Sequence, residues 1–380
     1  MKRLQAALLA STAAAFTLAT APEALADGLS FTTIQTSNTP TLTNNFTRGV
    51  YANGSNIYLG TSGGGTFVSN DSGSTWSNYT TSNSGLASNT AYIPYAVGST
   101  VYIATQNGLG VSTNGGSTWI NKTTTDGLGS SAVFGVYAVG STVYAATNGG
   151  VSISTDGGNT FTNTTNGLGG TSGSNSGSSV NVVYADGGKI YAATQNGLAI
   201  SSNGGTSFIN ITTANSVGLL DNRIKDVFAS GNNIYAATEG GLSISTDGGA
   251  NWSTSTQANG LGTGGLGTNF VRGLAVSGGT IYAGTSGGGL SVSTNGGASW
   301  TTYTTDDGLG ANFLQKVYIS DNKLYVTTSN SGLSVAALSA DPNPVPAPLP
   351  VLGSAVALGF CRRLRSQSQR LRHAAGRRLA

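Results

Sequence analysis

Short runs in which apolar and polar residues alternate fill the chain from about residue 30 to residue 338, and Gly-rich turns separate them. Between Val271 and Thr305 the runs are VRGLAVS, TIYAGTS, LSVST and SWTTYTT, divided by GG, GGG and NGGA. A period of two with β-branched and aromatic residues predicts strands, and the Gly, Asn and Asp pairs predict hairpin turns. The pattern repeats. A hydrophobic residue, Tyr, two small or apolar residues and Thr recur seven times, at Tyr58, Tyr102, Tyr144, Tyr191, Tyr235, Tyr282 and Tyr325. Successive tyrosines are 44, 42, 47, 44, 47 and 43 residues apart. Four strands in a unit of that length predict an all-β fold, a seven-bladed β-propeller of four-stranded blades over residues 27–340.

The two ends of the repeat region supply a test of closure. The seventh unit runs TTSNSGLSVAALSADP after Tyr325 and stops before a fourth strand, while an orphan segment, GLSFTTIQTSNT, precedes the first unit. Phe31–Ser37 is therefore expected to be the outer strand of the last blade, with Phe31 in the slot where other units end on an aromatic. Such a strand closes the ring and removes its open edge. An open β-solenoid would need capping ends that the sequence does not have.

Composition narrows the chemistry. Of 380 residues, 58 are Gly and only 8% are charged, with one Cys, one Met and one His. Cys361 and His373 lie in the C-terminal tail, so the repeats contain no disulfide, no Cys/His metal site and no His base or Cys nucleophile. The net charge of +3 belongs to the ends, because between Asp27 and Val345 eight basic residues face thirteen acidic ones. That balance gives no reason to expect nucleic acid as a partner, and no cofactor is expected. Lys2, Arg3, an Ala/Leu-rich stretch and Ala24-Leu25-Ala26 read as a secretory signal over residues 1–26. Residues 341–350 are Pro-rich, 349–361 form a short hydrophobic segment, and 362–380 a basic tail. Membrane contact is expected only through these end segments. At thirteen residues, Leu349–Cys361 is shorter than a transmembrane helix needs, although the preceding PVPAP could lengthen it.

The segment from Val345 to Arg365 resembles the C-terminal sorting signal of PEP-CTERM proteins, in the variant with a small residue, Ala347, between two prolines that cyanobacterial proteins carry. The resemblance implies an exosortase-type processing enzyme as a partner. Six blades also carry S-x-[DN]-x-G-x-x-[WF], which resembles the Asp box of BNR-repeat, sialidase-like propellers. Its Asx and aromatic positions are Asp71/Trp76, Asn114/Trp119, Asp156/Phe161, Asn203/Phe208, Asp247/Trp252 and Asn295/Trp300. Asx side chains are expected to bond the backbone two residues on, and the aromatic to plug the turn onto the sheet. The family likeness implies a folding role for the box on the face away from the active site. The phrase NGLGTNFVRGLAVSGGTIYAGTSGGGL, from Asn259, also resembles the propeller repeats of bacterial two-component sensor ectodomains.

Equivalent repeat slots put Arg48, Tyr92, Phe134, Asn181, Lys225, Arg272 and Gln315 at the start of the innermost strands, around one mouth of the channel. By the period of two, Arg223 shares a face with Lys225. Arg48, Arg223, Lys225 and Arg272, joined by Lys316, form a basic arc suited to an anionic group, with Glu239 among the facing residues. Asp221, Asp226, Asp306 and Asp307 lie close enough in sequence to neutralise it. No residue is assigned a catalytic or metal-binding role. The reading is an exported, non-catalytic binding or scaffold propeller of the cell envelope or extracellular matrix, with a glycan or an envelope protein as partner. A sialidase-like glycoside hydrolase and an extracytoplasmic sensor propeller are the alternatives. Against the hydrolase, Glu239 is the only Glu of the repeats and Tyr92-Ile93-Pro94 lacks the Arg that family places before Ile-Pro.

Overall fold

The computed structural model describes residues 28–169, 178–262 and 269–338. The signal segment, the Pro-rich motif, segment 349–361 and the basic tail lie outside the described residues. Within them, 28 strands form seven four-stranded antiparallel sheets, arranged as the blades of a β-propeller with no α-helix. The innermost strands are β2 (Thr47–Asn53), β6 (Ala91–Val97), β10 (Val133–Val139), β14 (Val180–Asp186), β18 (Ile224–Ser230), β22 (Val271–Ser277) and β26 (Leu314–Ser320). Each belongs to one blade, numbered 1 to 7 in that order.

Blade 7 joins the two ends of the repeat region. Strand β1 (Phe31–Ile34) pairs antiparallel with β28 (Leu333–Ala337), in the register Phe31↔Ala336 to Ile34↔Leu333. The sheet order is β1-β28-β27-β26, with β27 spanning Lys323–Thr328, so the ring is closed rather than an open stack. The closing strand is shorter than the expected Phe31–Ser37. It stops at Ile34 because Asn38 turns the chain back, its side chain accepting from the Gln35 N–H and donating to the Thr33 carbonyl. Phe31 is buried and meets Tyr303 of blade 6 edge-on, with ring centroids 6.1 Å apart.

The recurring Tyr and Thr each have a structural reason. Tyr58, Tyr102, Tyr191, Tyr282 and Tyr325 are buried between blades, and full burial of a side chain of this size is worth about 1.5–3 kcal/mol. Thr, fully buried in all seven blades, uses its hydroxyl to close the turn between the second and third strands. Thr61 bonds the Gly65 carbonyl at 2.7 Å and Thr105 that of Gly108 at 2.7 Å; Thr328 does the same to Gly332 at 2.9 Å. A buried hydroxyl without such a partner would be costly, which fixes both the residue and its spacing.

The S-x-[DN]-x-G turns connect the third and fourth strands. Asp71 accepts from the Thr75 N–H at 2.9 Å and the Thr75 hydroxyl at 2.6 Å, while Ser69 accepts from the Gly73 N–H at 2.8 Å. The Asx carboxyl thus reaches four residues on, not two, because the preceding Ser supplies the short-range acceptor. Gly73 has φ 93°, and a Cβ there would press on Ile34 Cδ1 at 2.7 Å. The hydrogen bonds hold the Asp71 and Asp247 carboxyls down to about 2, from an ordinary 3.8, and Asp156 lower still.

The aromatics that close these turns reach further than the turn itself. Each packs into the core between its own blade and the preceding one. Trp76 of blade 1 lies with Tyr325 and Leu333 of blade 7, and Trp119 of blade 2 with Tyr58 and Val68 of blade 1. Phe161 joins Tyr102 of blade 2, Phe208 joins Val151 of blade 3, and Trp252 joins Tyr191 of blade 4. These five are buried, whereas Trp300 is only half-buried against the core between blades 5 and 6. Trp76 and Trp252 also donate from Nε1 to the carbonyls of Gly73 and Gly249, both at 3.1 Å, which ties the ring to its own turn. The sequence expectation of a plug on one sheet is therefore too local, since the six rings cement neighbouring blades. Phe31 completes the set between blades 6 and 7.

A group whose folded pKa is depressed stabilises the fold above its unfolded value and loses that contribution as pH falls through its folded value. By that linkage the triple variant D71N/D156N/D247N is expected to be less stable than the wild type at neutral pH. It should still fold, because Asn in the same slot of other blades makes the corresponding bonds, as from the Thr118 N–H to Asn114 Oδ1 at 3.0 Å. The difference should shrink as pH falls from about 4 through about 2, with the Asp156 share the last to go. Denaturant melts followed by circular dichroism across that window check it; a difference independent of pH contradicts it.

Candidate functional site

The loops that lead into the innermost strands and the turns between second and third strands share one face of the ring. There they enclose a cup of about 220 Å³. Its wall contains the slot residue of every blade: Arg48, Tyr92, Phe134, Asn181, Lys225, Arg272 and Gln315. These residues point inward because a β-bulge sits at the start of each innermost strand, for example between Thr47 and Gly49 and between Ile224 and Asp226. The extra residue turns its side chain out of the ladder toward the axis.

Several slot residues use a partner fourteen positions later, on the turn after the recurring Thr. Arg48 Nη2 donates to Ser62 Oγ at 3.1 Å, Arg272 Nε to Ser286 Oγ at 3.2 Å, and Gln315 Nε2 to Ser329 Oγ at 2.7 Å. In blade 5 the partner is Glu239, whose Oε1 lies 2.8 Å from Lys225 Nζ. Lys225 also donates to Gln195 Oε1 at 3.3 Å, and Gln195 donates to Asn181 Oδ1 at 3.2 Å, linking blades 4 and 5.

The basic residues divide into two kinds. Arg223 does not line the cup. Its side chain is 53% exposed at the rim, paired with Asp221 at 2.8 Å and with Glu239. The bulge between Ile224 and Asp226 breaks the period of two that would put Arg223 on one face with Lys225, and β18 starts only at Ile224, yet both side chains converge on Glu239. The paired guanidinium holds the Asp221 carboxyl below its ordinary value. Lys316 lies in the floor and is bonded at 2.5 Å to Asp226, whose side chain is 2% exposed. Asp226 also accepts from the Leu274 N–H at 2.9 Å, so the pair spans blade 6 from blade 5 to blade 7. Asp306 and Asp307 belong to a capped 3-10 turn, Thr305–Asp307, where Asp307 accepts from the Thr304 N–H.

Arg48 and Arg272 are the second kind. Among the described residues neither lies within ion-pair distance of a carboxylate. Arg272 packs over Phe270, 4.5 Å from the ring centroid, and Arg48 over Tyr92 at 5.5 Å. Burial and the nearby positive charge of Arg48 pull the Arg272 pKa down from its ordinary value. Two guanidiniums that repel one another across a cup present charge for an anion to neutralise. The rim beside them is aromatic. Phe46 and Phe313, in the same slot of the neighbouring blades 1 and 7, are 56% and 54% exposed.

The six aromatics of the S-x-[DN]-x-G turns are not brought to this site. Trp76, Trp119, Phe161, Phe208, Trp252 and Trp300 line neither the cup nor the channel below it, because the interblade cores hold their rings. The aromatic faces that a ligand in the cup would meet belong instead to Tyr92 and Phe134.

No family model and no curated protein matches the sequence. Solved structures do. The extracellular domain of the hybrid two-component system BT3049 of B. thetaiotaomicron aligns with a TM-score of 0.65 at 14% identity, over 82% of this chain. This chain spans 42% of that one. YCF48 from Cyanidioschyzon merolae aligns with a TM-score of 0.58 at 14% identity, over 81% of this chain and 98% of that one. The chain has their fold. Identity this low carries the propeller scaffold alone. Among the described residues no cluster of His, Cys, Asp and Glu could hold a metal ion, and no helix is long and apolar enough to cross a membrane.

Below the cup the channel is lined by a second recurring position of the innermost strands. Seven residues before each repeat Tyr stands a residue facing the channel: Tyr51, Tyr95, Tyr137, Tyr184, Phe228, Ala275 and Tyr318. Neighbouring rings lie 4.8 to 5.4 Å apart from Tyr318 through Tyr51, Tyr95, Tyr137 and Tyr184 to Phe228. The hydroxyls fall into two neighbouring groups, Tyr318 with Tyr51 and Tyr95 with Tyr137 and Tyr184. Burial raises the pKa of each of these tyrosines, most strongly at Tyr318, Tyr95 and Tyr184, so the row is neutral.

Proposed function

We infer that the chain is an exported, non-catalytic binding propeller of the cell envelope or extracellular matrix, and that its cup takes an acidic sugar residue of a glycan. The observation that carries this reading is the pair Arg48 and Arg272, which face one cup without a carboxylate partner among the described residues. Planar guanidiniums meet a carboxylate or sulfate through two parallel hydrogen bonds. Tyr92 and Phe134, packed edge-on at 5.6 Å, and the exposed Phe46 and Phe313 supply flat apolar faces for a sugar ring. Concave sites with a few convergent polar groups on apolar walls are where small ligands bind. Export rests on the signal-like residues 1–26, and anchoring with exosortase-type processing on the PEP-CTERM-like segment. The S-x-[DN]-x-G turns serve as Asp-box folding devices on the face opposite the cup. A hydrolytic role is disfavoured because both oxygens of Glu239 are engaged by Lys225 and Arg223 rather than by a tyrosine.

The test is titration calorimetry of the full chain with oligogalacturonate and with a neutral oligosaccharide of equal length. Binding of the acidic ligand alone, weakening with salt, is expected. Charge-assisted hydrogen bonds contribute about 1.5–3 kcal/mol each, so Arg48→Ala/Arg272→Ala should bind about a hundredfold more weakly. Equal affinity in the double variant, or binding independent of salt, would overturn the assignment.

A further inference from the structure

The aromatic row in the channel is a ring with one member missing. Six blades place Tyr or Phe in the slot seven residues before the repeat Tyr, and blade 6 places Ala275 there. Around this gap lies a chamber of about 180 Å³, lined by the aromatic row, by Ala275 and by the apolar residues of the innermost strands. Ile93, Val182, Asp226 and Lys316 line both the chamber and the cup above it, so they form a partition between the two. The chamber is larger than the ~150 Å³ apolar cavity that accommodates benzene in an engineered protein core.

Its polar groups are few and directional. The hydroxyl row runs from Tyr95 through Tyr137 to Tyr184 on one side, and from Tyr51 to Tyr318 on the other. Phe228 and Ala275 contribute no hydroxyl, so the row is interrupted on the arc between Tyr184 and Tyr318 that passes through blades 5 and 6. On that arc the gap is flanked by the Phe228 ring in blade 5 and by Tyr318 in blade 7. Tyr318, Phe228 and Tyr184 are half-buried and line the chamber.

We propose that the chamber is a second binding site, specific for single-ring phenols, in which the ring fills the Ala275 slot beside Phe228 and the hydroxyl joins the row at Tyr318. A phenol reproduces what the other blades supply covalently: an offset or tilted aromatic contact with its neighbours and one hydroxyl able both to donate and to accept. Apolar surface is removed from water on both partners, and the polar end finds a partner in a site where an unpaired group would be costly. A charged ligand does not suit this site, because the one ion pair that borders it, Asp226 with Lys316, is already mutually satisfied.

The probe is p-cresol, the side chain of tyrosine, titrated into the full chain and followed by ligand-observed NMR. Saturable binding at one site is expected, with toluene binding more weakly because it leaves the hydroxyl row open. Ala275→Tyr should fill the slot and abolish p-cresol binding. Ala275→Leu blocks the same space with an aliphatic side chain and keeps the test alive if the larger ring misfolds. Tyr318→Phe should weaken p-cresol toward the toluene value. Arg48→Ala/Arg272→Ala should leave p-cresol binding unchanged, which separates this site from the cup. Absence of saturable p-cresol binding, equal binding by the Ala275 variants, or loss of binding in the arginine variant would each overturn the proposal.

Discussion

Deleting residues 28–37 is expected to lower the melting temperature by about 10 °C or more, although the segment contributes only one four-residue strand. The deletion removes Phe31 and Leu29, both buried in the blade 6–blade 7 core, and losing a buried Phe alone costs about 3–5 kcal/mol. It also strips β28 of its partner and turns a closed ring into one with a bare edge, the geometry that invites strand addition by another molecule. Against a total stability of about 5–15 kcal/mol, that is a large share. Calorimetry on the truncated chain reads the loss, and light scattering the self-association. Re-attaching residues 28–37 behind Leu338 through a Gly-rich turn should restore the ring, because Thr32 opposite Val335 matches Ser77 opposite Val68 in blade 1. A truncated chain that melts with the wild type would show that the closing strand stands outside the cooperative unit.

Lys316→Ala should be among the most damaging single substitutions in the channel, at about 3–5 kcal/mol. Asp226 has a side chain only 2% exposed, and without the ammonium it would hold an uncompensated charge in the cup floor. The equivalent slot elsewhere carries Gly49, Ile93, Gly135, Val182 and Gly273, so the fold itself asks for no charge there. The double variant Asp226→Val/Lys316→Ile is accordingly expected to be more stable than Lys316→Ala. It should not recover fully, since the Leu274 N–H loses its acceptor, a deficit of about 1–3 kcal/mol. Urea unfolding of the two variants and the wild type decides the matter. Equal losses in both would mean that the pair's worth is packing rather than charge compensation.

The blade count, the three inner strands of blade 6 and the ring closure were legible because each leaves a recurring mark, whereas the outer strand of blade 6 is only Thr301–Tyr303, shorter than the run SWTTYTT. Tyr58 and its six counterparts recur every 42 to 47 residues, and the orphan LSFTTIQT completes the interrupted seventh unit. The seven slot residues were legible for the same reason, and all seven line the cup. Which charges stay unpaired was not. Arg223 and Arg272 look alike in the repeat, yet Arg223 has Asp221 two residues away and Glu239 opposite, while Arg272 has Ser286 and Phe270. The contact between Lys316 and Asp226, 90 residues apart, joins blades that are not sequence neighbours and has no local signature. The reach of Trp76 and its counterparts across to the preceding blade was hidden too, since a turn motif describes only its own hairpin. The aromatic row did carry a signal, the constant seven-residue offset between Tyr51 and Tyr58 and their equivalents. Alternating apolar residues in an inner strand look like interblade core, and only the packing of seven strands around one axis turns one of them toward its counterparts.

The pairing of β1 with β28 also decides how the ring responds to force. Phe31 lies opposite Ala336, and the Leu338 N–H bonds the Asn322 carbonyl on the turn between β26 and β27, so both ends of the described chain leave blade 7 side by side, away from the cup. A propeller held from either end would keep its cup turned outward, free of its own tether. Pulled by both ends at once, β1 and β28 would be loaded at one end of their ladder. Its hydrogen bonds would then break in sequence, like a zip, rather than together in shear. The ring's seam would be its weakest mechanical link, and it would open long before any blade unfolds.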